Sequence, residues 1–488
     1  MGWKVFQIGC LLSLLVVLVA IWLRPGTERE IDVEVQAILR GLIDVEVPDK
    51  SRARKPRVAV GYGACMDVFT NAKDVLQFKE SNHHPGAITT DVELMQAYTY
   101  FFRHGAAAER FVHNSSLFDT LVRRAEQVPG ARWEMGGTAA LMANRFSMEG
   151  CEVLLGAKMT PRLQKAFSTN VKVVGGDVSK DDVHLILEYK AGEKWGSYQA
   201  PRANRQVEIP VNQPTAFILH NDDTNPTLSS LEEFQRDLTD FNPDLLVIGG
   251  LQMMDNFPFQ EGIREARLKL VEEQMRRQPE HTLVHFELAS FAEPKLMMYL
   301  VDNILPHADS LGMNEQELEN LRSIIVHRKV SLVTDSNPRV ATVLDDMREV
   351  FKQLRQKGRT VSTSRSLTRI HVHTLAYQAI LTVHGSSWKN SVGAAAKASL
   401  TAHRHVCGSA SVDVGKAHLM MDDSFATSKA EGSKRMPLNA TSPISCWDEE
   451  CDGTTINLCV APVLVCTHAK QTCGGGDNIS SAGIAMQI

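Results

Sequence analysis

The sequence carries no surplus of positive charge. Its 52 lysines and arginines are outnumbered by 57 aspartates and glutamates, for a net charge of −5. A chain without a basic field has nothing to hold a polyanionic strand, which argues against nucleic acid as a partner. There is no Gly-x4-Gly-Lys-Ser/Thr phosphate loop, and the motif set of protein kinases is missing too. Those two routes to phosphoryl chemistry are therefore not indicated. Tandem repeats and long low-complexity tracts are also absent. With 43% hydrophobic and 22% charged residues, what is left is ordinary globular sequence. Its 488 residues exceed one small core and suit an anchor plus one bilobed unit or two domains.

The first 25 residues differ from the rest. Lys4 precedes an apolar run from Val5 to Leu23, and Arg24 and Pro25 end it. This reads as a signal peptide or a signal-anchor helix. No clear small-x-small cleavage site follows, which favours an anchor through residues 5–23 and a place in the endoplasmic reticulum membrane or lumen. Cleavage would instead make the protein secreted. Of nine cysteines, six lie late in the chain: Cys407, Cys446, Cys451, Cys459, Cys466 and Cys473. Behind a signal sequence such a cluster suggests an oxidising lumen and a disulfide. Cys407–Cys466 is the pair we favour, with Cys446 and Cys451 close in sequence. Asn114-Ser-Ser and Asn439-Ala-Thr are glycosylation sequons.

Residues 26–54 are charged, without a strong apolar pattern, and read as a linker or a short helix. Then come short apolar runs at Arg57–Gly61, Val153–Gly156, Leu245–Gly250, Thr282–Glu287 and Ser331–Thr334, alternating with helical patterns. Continuous apolar strands separated by helices predict a parallel sheet covered on both faces, hence a doubly wound α/β fold. Residues 81–130 and 183–213 break the rhythm and read equally as an inserted lid or as surface decoration. With the lid reading, the large domain comprises residues 55–80, 131–182 and 214–488.

The most informative segment is Thr472-Cys-Gly-Gly-Gly-Asp-Asn-Ile-Ser, which follows the apolar run Val460–Val465. Gly474, Gly475 and Gly476 let the backbone turn successive amides toward one point. A helix starting near Asp477 adds its N-terminal partial positive charge at that point. Such a place suits a transferring phosphoryl group, and a carboxylate there can take the proton of an attacking hydroxyl. On pattern alone the same residues also read as a plain helix N-cap.

The segment resembles the Thr-x-Gly-x-Gly-Asp-x-Ile-Ser signature of the ADP-dependent sugar kinases in the ribokinase-like superfamily. Gly105-Ala-Ala-Ala-Glu-Arg-Phe, Gly136-Gly137, His184-x-Ile-x-Glu-Tyr, Ala200-Pro-Arg-Ala-Asn-Arg205, Gly250-Leu-x-Met-Met, His285-Phe-Glu-Leu-Ala-Ser, Asn314-Glu-Gln-Glu-Leu and Arg369-Ile-His-Val-His-Thr follow in order. Together they resemble the animal glucokinase branch across residues 55–488. The resemblance implies a ribokinase-like sheet with a smaller lid, ADP as phosphoryl donor, D-glucose as acceptor, one Mg²⁺ ion per subunit and a monomer. Asp477 would be the catalytic base. Gly474, Gly475, Gly476 and a lid arginine, Arg205, would stabilise the transferring charge.

The same resemblance implies Asp67, Glu109, Gly136, Gly137 and His184 for the sugar. It implies Glu287, Glu317 and Asp477 for the metal, and Asn314, His373, Thr374 and Cys466 near the nucleotide. Read singly, these residues have plainer roles: Asp67 a turn former, His184 a core histidine, Asn314 a helix cap and Arg205 a surface salt bridge. The sequence departs from the pattern at Gly63 and Thr138, where the family usually carries Asn, and at Asn478, where it carries a small residue. The first two changes lie near the sugar and could alter acceptor preference; the third could weaken the last helix. Alternatives are a non-catalytic sugar- or nucleotide-binding relative, an ADP-dependent phosphofructokinase and an ATP-using relative. Glu109 favours a neutral hexose over a sugar phosphate.

Overall fold

A computed structural model describes residues 32–47, 54–80, 86–190, 192–201, 214–335, 337–360, 365–471 and 473–488. The apolar run at 5–23, Arg205 and Thr472 lie outside the described residues. Among those that are described, no helix is long and apolar enough to cross a membrane.

Two sheets organise the chain. The larger has ten strands, in the order Ser445–Cys451, Thr454–Pro462, Tyr377–Val383, Arg369–His373, Ser310–Asn314, Leu283–Glu287, Leu245–Ile248, Arg57–Gly61, Glu152–Gly156 and Val171–Val174. Pairing is parallel from Val171–Val174 through to Arg369–His373 and antiparallel beyond. Alternate residues serve opposite faces, as a pleat requires. Ala59, Leu154, Leu246 and Ile248 join a core with Phe234, Leu268 and Leu344. Val58, Val60, Val153 and Val247 pack with Ala139, Met142 and Ile484 instead. Helices cover both faces, so the fold is α/β with a mixed sheet.

The smaller sheet has five strands, in the order Ala108–Phe111, Pro214–His220, Val183–Lys190, Cys65–Asn71 and Arg132–Gly136. Its boundaries differ from the lid read in the sequence. Cys65–Asn71, Arg132–Gly136 and Pro214–His220, assigned there to the large domain, belong to the small sheet. Apolar alternation records that a strand is half-buried, not which sheet it joins. The chain crosses between sheets at residues 62–64, where Gly63 has φ +90°, and again at Gly137, also at +90°. Such conformations favour glycine. Tyr98, Phe101, Phe102 and Trp195 fill the small sheet's own core.

Of the two readings of residues 26–54, the helix holds for part of the segment, and one expected strand is absent. Residues 32–45 form a helix, not only a linker; Val35, Ile38 and Leu42 pack against Ile380 and Cys459 of the large sheet. Ser331–Thr334 is not a strand. Ser331 N–H donates to Asn320 Oδ1 at 2.8 Å, and Leu332 and Val333 pack on the small sheet's core. The disulfide Cys407–Cys466 is present, and a second, Cys446–Cys459, bridges directly paired residues of neighbouring strands. Cys451 is free.

Candidate active site

The parallel strands of the large sheet end at one edge, and polar residues stand at their C-terminal ends: Glu287, Asn314 and His373 on three adjacent strands. This is where open α/β sheets gather ligands. The last helix, Gly475–Ala485, begins over the same edge with Gly474 at φ +68° as its N-cap. Two close approaches fix the helix there. A β-carbon on Gly474 would stand 2.6 Å from Leu141 Cδ1, and one on Gly476 would stand 2.8 Å from His373 Cε1. Asp477 thus lies in the first turn, where the free N–H groups and the helix dipole converge. Asn478 does not loosen this turn: its Nδ2 donates to Gly474 O at 2.9 Å.

A cavity of ≈ 500 Å³ lies between this edge and the small sheet. The small sheet lends it Asp67, Glu109 and His184. The large sheet and the elements that follow its strands lend Glu287, Asn314, Glu317, His373, Thr374 and Cys466. Gly474, Gly475, Gly476 and Asp477 come from the last helix, and Gly137 from the crossover before Thr138–Met148. Gly136 lies just behind the wall, against Asp67. One cavity therefore holds the residues that the sequence assigned to sugar, metal, nucleotide and base, apart from Gly136 and Arg205.

His184 is ringed by acids. Its Nε2 bonds Asp222 Oδ2 at 3.0 Å, while Nδ1 lies 3.7 Å from Glu109 and 3.9 Å from Asp67. Burial alone would discharge the imidazole, but Asp222, Asp67 and Glu109 outweigh it and hold His184 up to about 10. Burial pushes Glu109 up to about 7 and Asp67 up to about 6, with His184 the main opposing charge. Thr138, the unexpected residue, accepts from Gln252 Nε2 at 3.3 Å, and Gln252 lies near enough to Glu109 to oppose the rise in its pKa.

At the other edge, Glu287 accepts from Ser480 Oγ at 2.8 Å and bonds His285 Nε2 at 2.7 Å. His285 and His373 overcome burial and hold Glu287 down to about 2. Asn314 does cap the helix Glu315–His327, in a reciprocal capping box with Glu317. Burial lifts Glu317 up to about 7. Asp477 is raised well above the usual carboxylate range, first by burial and then by Glu287, Glu317, Glu109 and Asp67.

The conserved-region model for ADP-specific phosphofructokinase/glucokinase matches residues 56–486. The chain belongs to that family. It is 34% identical to the ADP-dependent glucokinase of Bos taurus over 436 residues, covering 88% of this chain and 84% of that one. A probable ADP-dependent glucokinase of Caenorhabditis elegans is 29% identical, covering 89% and 86%. Among solved structures, an ADP-dependent kinase in complex with fructose-6-phosphate and ADPβS superposes with a TM-score of 0.63 at 15% identity, covering 93% of this chain and 97% of that one. At that identity the likeness speaks for the fold.

Family membership also frames what the sequence did not disclose. Asp222, fully buried and bonded to His184, sits in the polar run Asn221–Asn225 after an apolar strand, where nothing in the spacing singles it out. His285 and Ser480, which hold Glu287, lie inside recognisable motifs whose spacing gives them no role of their own. The metal reading can be tested on the donor set. Glu287, Glu317 and Asp477 face one cavity, and their mutual repulsion raises Asp477. They are not among the groups of described residues close enough to hold an ion directly together. Excess negative charge without a tight cage fits a Mg²⁺ ion that keeps several of its waters.

Proposed function

We propose that this protein transfers the β-phosphoryl group of ADP to the 6-hydroxyl of D-glucose, giving glucose 6-phosphate and AMP. The observation that carries this reading is the position of Asp477. It stands at a glycine-built helix N-terminus in the cavity that also holds Asp67, Glu109 and His184.

The acceptor sugar lies against Asp67, Glu109 and His184. Ionised carboxylates accept from two hydroxyls at once, and the imidazolium donates. Asp477 takes the proton of the 6-hydroxyl as the oxygen attacks phosphorus. AMP leaves with the bridging oxygen and its electron pair. A carboxyl with raised proton affinity is a better acceptor for that proton than an ordinary one. The amides of Gly474, Gly475 and Gly476 face the charge on the transferred group. Glu287 and Glu317 would hold Mg²⁺ through its waters, and a bound ion would neutralise phosphate charge. Arg205 is assigned to the same phosphates.

A sugar phosphate as acceptor is the weaker reading. Among the described residues no lysine or arginine lines the cavity, and its acceptor end holds carboxylates. Screening residues 26–488 against ADP and ATP with glucose and fructose 6-phosphate, in Mg²⁺, tests the proposal. Turnover confined to fructose 6-phosphate, or to ATP, would contradict it. We further infer that residues 5–23 anchor the protein in the endoplasmic reticulum membrane with the catalytic part in the lumen. The two disulfides fit an oxidising compartment. Complete digestion by protease in sealed microsomes without detergent would refute that orientation.

A further inference from the structure

Among the described residues, four segments carry the chain between the two larger sheets: residues 62–64, Gly137, 175–182 and 221–230. Side-chain hydrogen bonds tie the last of these to the first and the third. Asp182 accepts from the N–H groups of Asp223, Thr224 and Asn225, and from Thr224 Oγ1 at 2.6 Å. Asn225 reads both backbone groups of Ala64: its Oδ1 accepts from Ala64 N at 3.2 Å, and its Nδ2 donates to Ala64 O at 3.1 Å. The same Nδ2 donates to Asp222 Oδ2 at 2.7 Å, the oxygen that bonds His184 Nε2.

The arrangement has a steric condition at Gly63. A β-carbon there would stand 2.7 Å from Asn225 Oδ1, on a backbone already at φ +90°. The departure at Gly63 is therefore matched by the amide of Asn225, which occupies that space. Asp222 and Asn225 are 1% and 6% exposed, so neither bond competes freely with water.

We propose that Asp222 is a positioning residue that holds His184 toward Asp67 and Glu109 and, through Asn225, couples the acceptor pocket to the crossover at Gly63–Ala64. This rests on reading the small-sheet end of the cavity as the sugar site. His184 offers its ring to the sugar, and Asn225 also lines the cavity, beside Gly63. The Nε2 of His184 is taken by Asp222, so Nδ1 is left to the pocket. A sugar bonded to Nδ1 fixes the ring, the ring fixes Asp222, and Asp222 fixes the amide that grips Ala64. Sugar binding should thus stiffen the crossover that sets one sheet against the other.

The test uses the full chain, glucose titration and amide exchange across residues 63–66. In the wild type, glucose is expected to slow exchange at Ala64, whose N–H bonds Asn225. Asp222→Asn keeps the volume and removes the charge. It should weaken glucose binding by roughly tenfold to a hundredfold. With glucose saturating, it should lose the protection at Ala64 while kcat stays within about threefold. A purely structural role would lower the melting temperature without that split between KM and kcat. Asn225→Ala leaves His184 and Asp222 in contact, so it should keep most of the glucose affinity and still lose the protection. It decides the matter should Asp222→Asn fold poorly. Wild-type affinity in Asp222→Asn, or glucose-induced protection at Ala64 surviving in Asn225→Ala, would overturn the proposal. A wild type that binds no glucose at all would instead refute the sugar reading beneath it.

Discussion

Gly136 lies so close to Asp67 that a β-carbon on it would stand 2.0 Å from the carboxylate Oδ1 and 2.4 Å from Oδ2. The two residues face each other across neighbouring antiparallel strands, with Cys65 paired to Gly136 and Asp67 to Glu134. The glycine is thus the space into which the acid folds. Gly136→Ala should displace Asp67 at an overpacking cost of about 1–3 kcal/mol. We expect the KM for glucose to rise about tenfold or more, with a smaller loss in kcat. Steady-state kinetics decides it; an unchanged KM would mean that Asp67 does not meet the sugar.

The acids of the acceptor pocket should make glucose binding depend on pH. Burial raises Glu109 from 4.5 up to about 7 and Asp67 from 3.8 up to about 6. Each binds its proton more tightly folded than unfolded. Its contribution to stability is therefore present below its unfolded value and is lost as pH rises through about 6 and 7. Glucose, donating hydroxyls to the ionised forms, should reverse that loss. Affinity should increase as pH rises through this window, and titrations in two buffers should detect protons released on binding. A flat affinity across the window would contradict the assignment of both acids.

The two disulfides differ in the loop they close. Cys407–Cys466 spans a separation of 59 residues and Cys446–Cys459 one of 13. Loop-closure entropy assigns about 4 and about 3 kcal/mol to them. Cys407→Ala with Cys466→Ala should therefore lower the melting temperature more than the pair Cys446→Ala with Cys459→Ala. The first pair should also impair catalysis, because Cys466 lines the cavity and helix Ser391–Cys407 packs on the last helix. Equal melting temperatures and intact kcat would leave the bridge without that role.

Much of this fold was legible because apolar runs and glycine turns are local signals. The strands at Arg57–Gly61, Leu245–Ile248 and Leu283–Glu287 and the last helix follow directly from them. Sheet membership was not legible. Cys65–Asn71 and Pro214–His220 look like any half-buried strand, and only long-range pairing assigns them to the small sheet. The same limit explains the site. Asp477 sits inside a compact motif, whereas Asp222 matters through a contact 38 residues away with His184. The Cys446–Cys459 bridge likewise depends on strand register.

Arg205 carries a prediction of its own. If it meets the donor phosphates, Arg205→Ala should lower kcat more than it weakens glucose binding. Arg205→Lys should restore part of the rate, because a point charge lacks the planar two-donor contact. Kinetics of both variants beside a glucose titration separates this from a surface salt bridge, for which kcat would not change.

The proposed transfer depends first on Asp477 as the proton acceptor. Its most direct test is kcat for Asp477→Ala with ADP, Mg²⁺ and saturating glucose. We expect a loss of about 10²–10⁴, the range for removing a general base. A variant turning over at near wild-type kcat would contradict the mechanism.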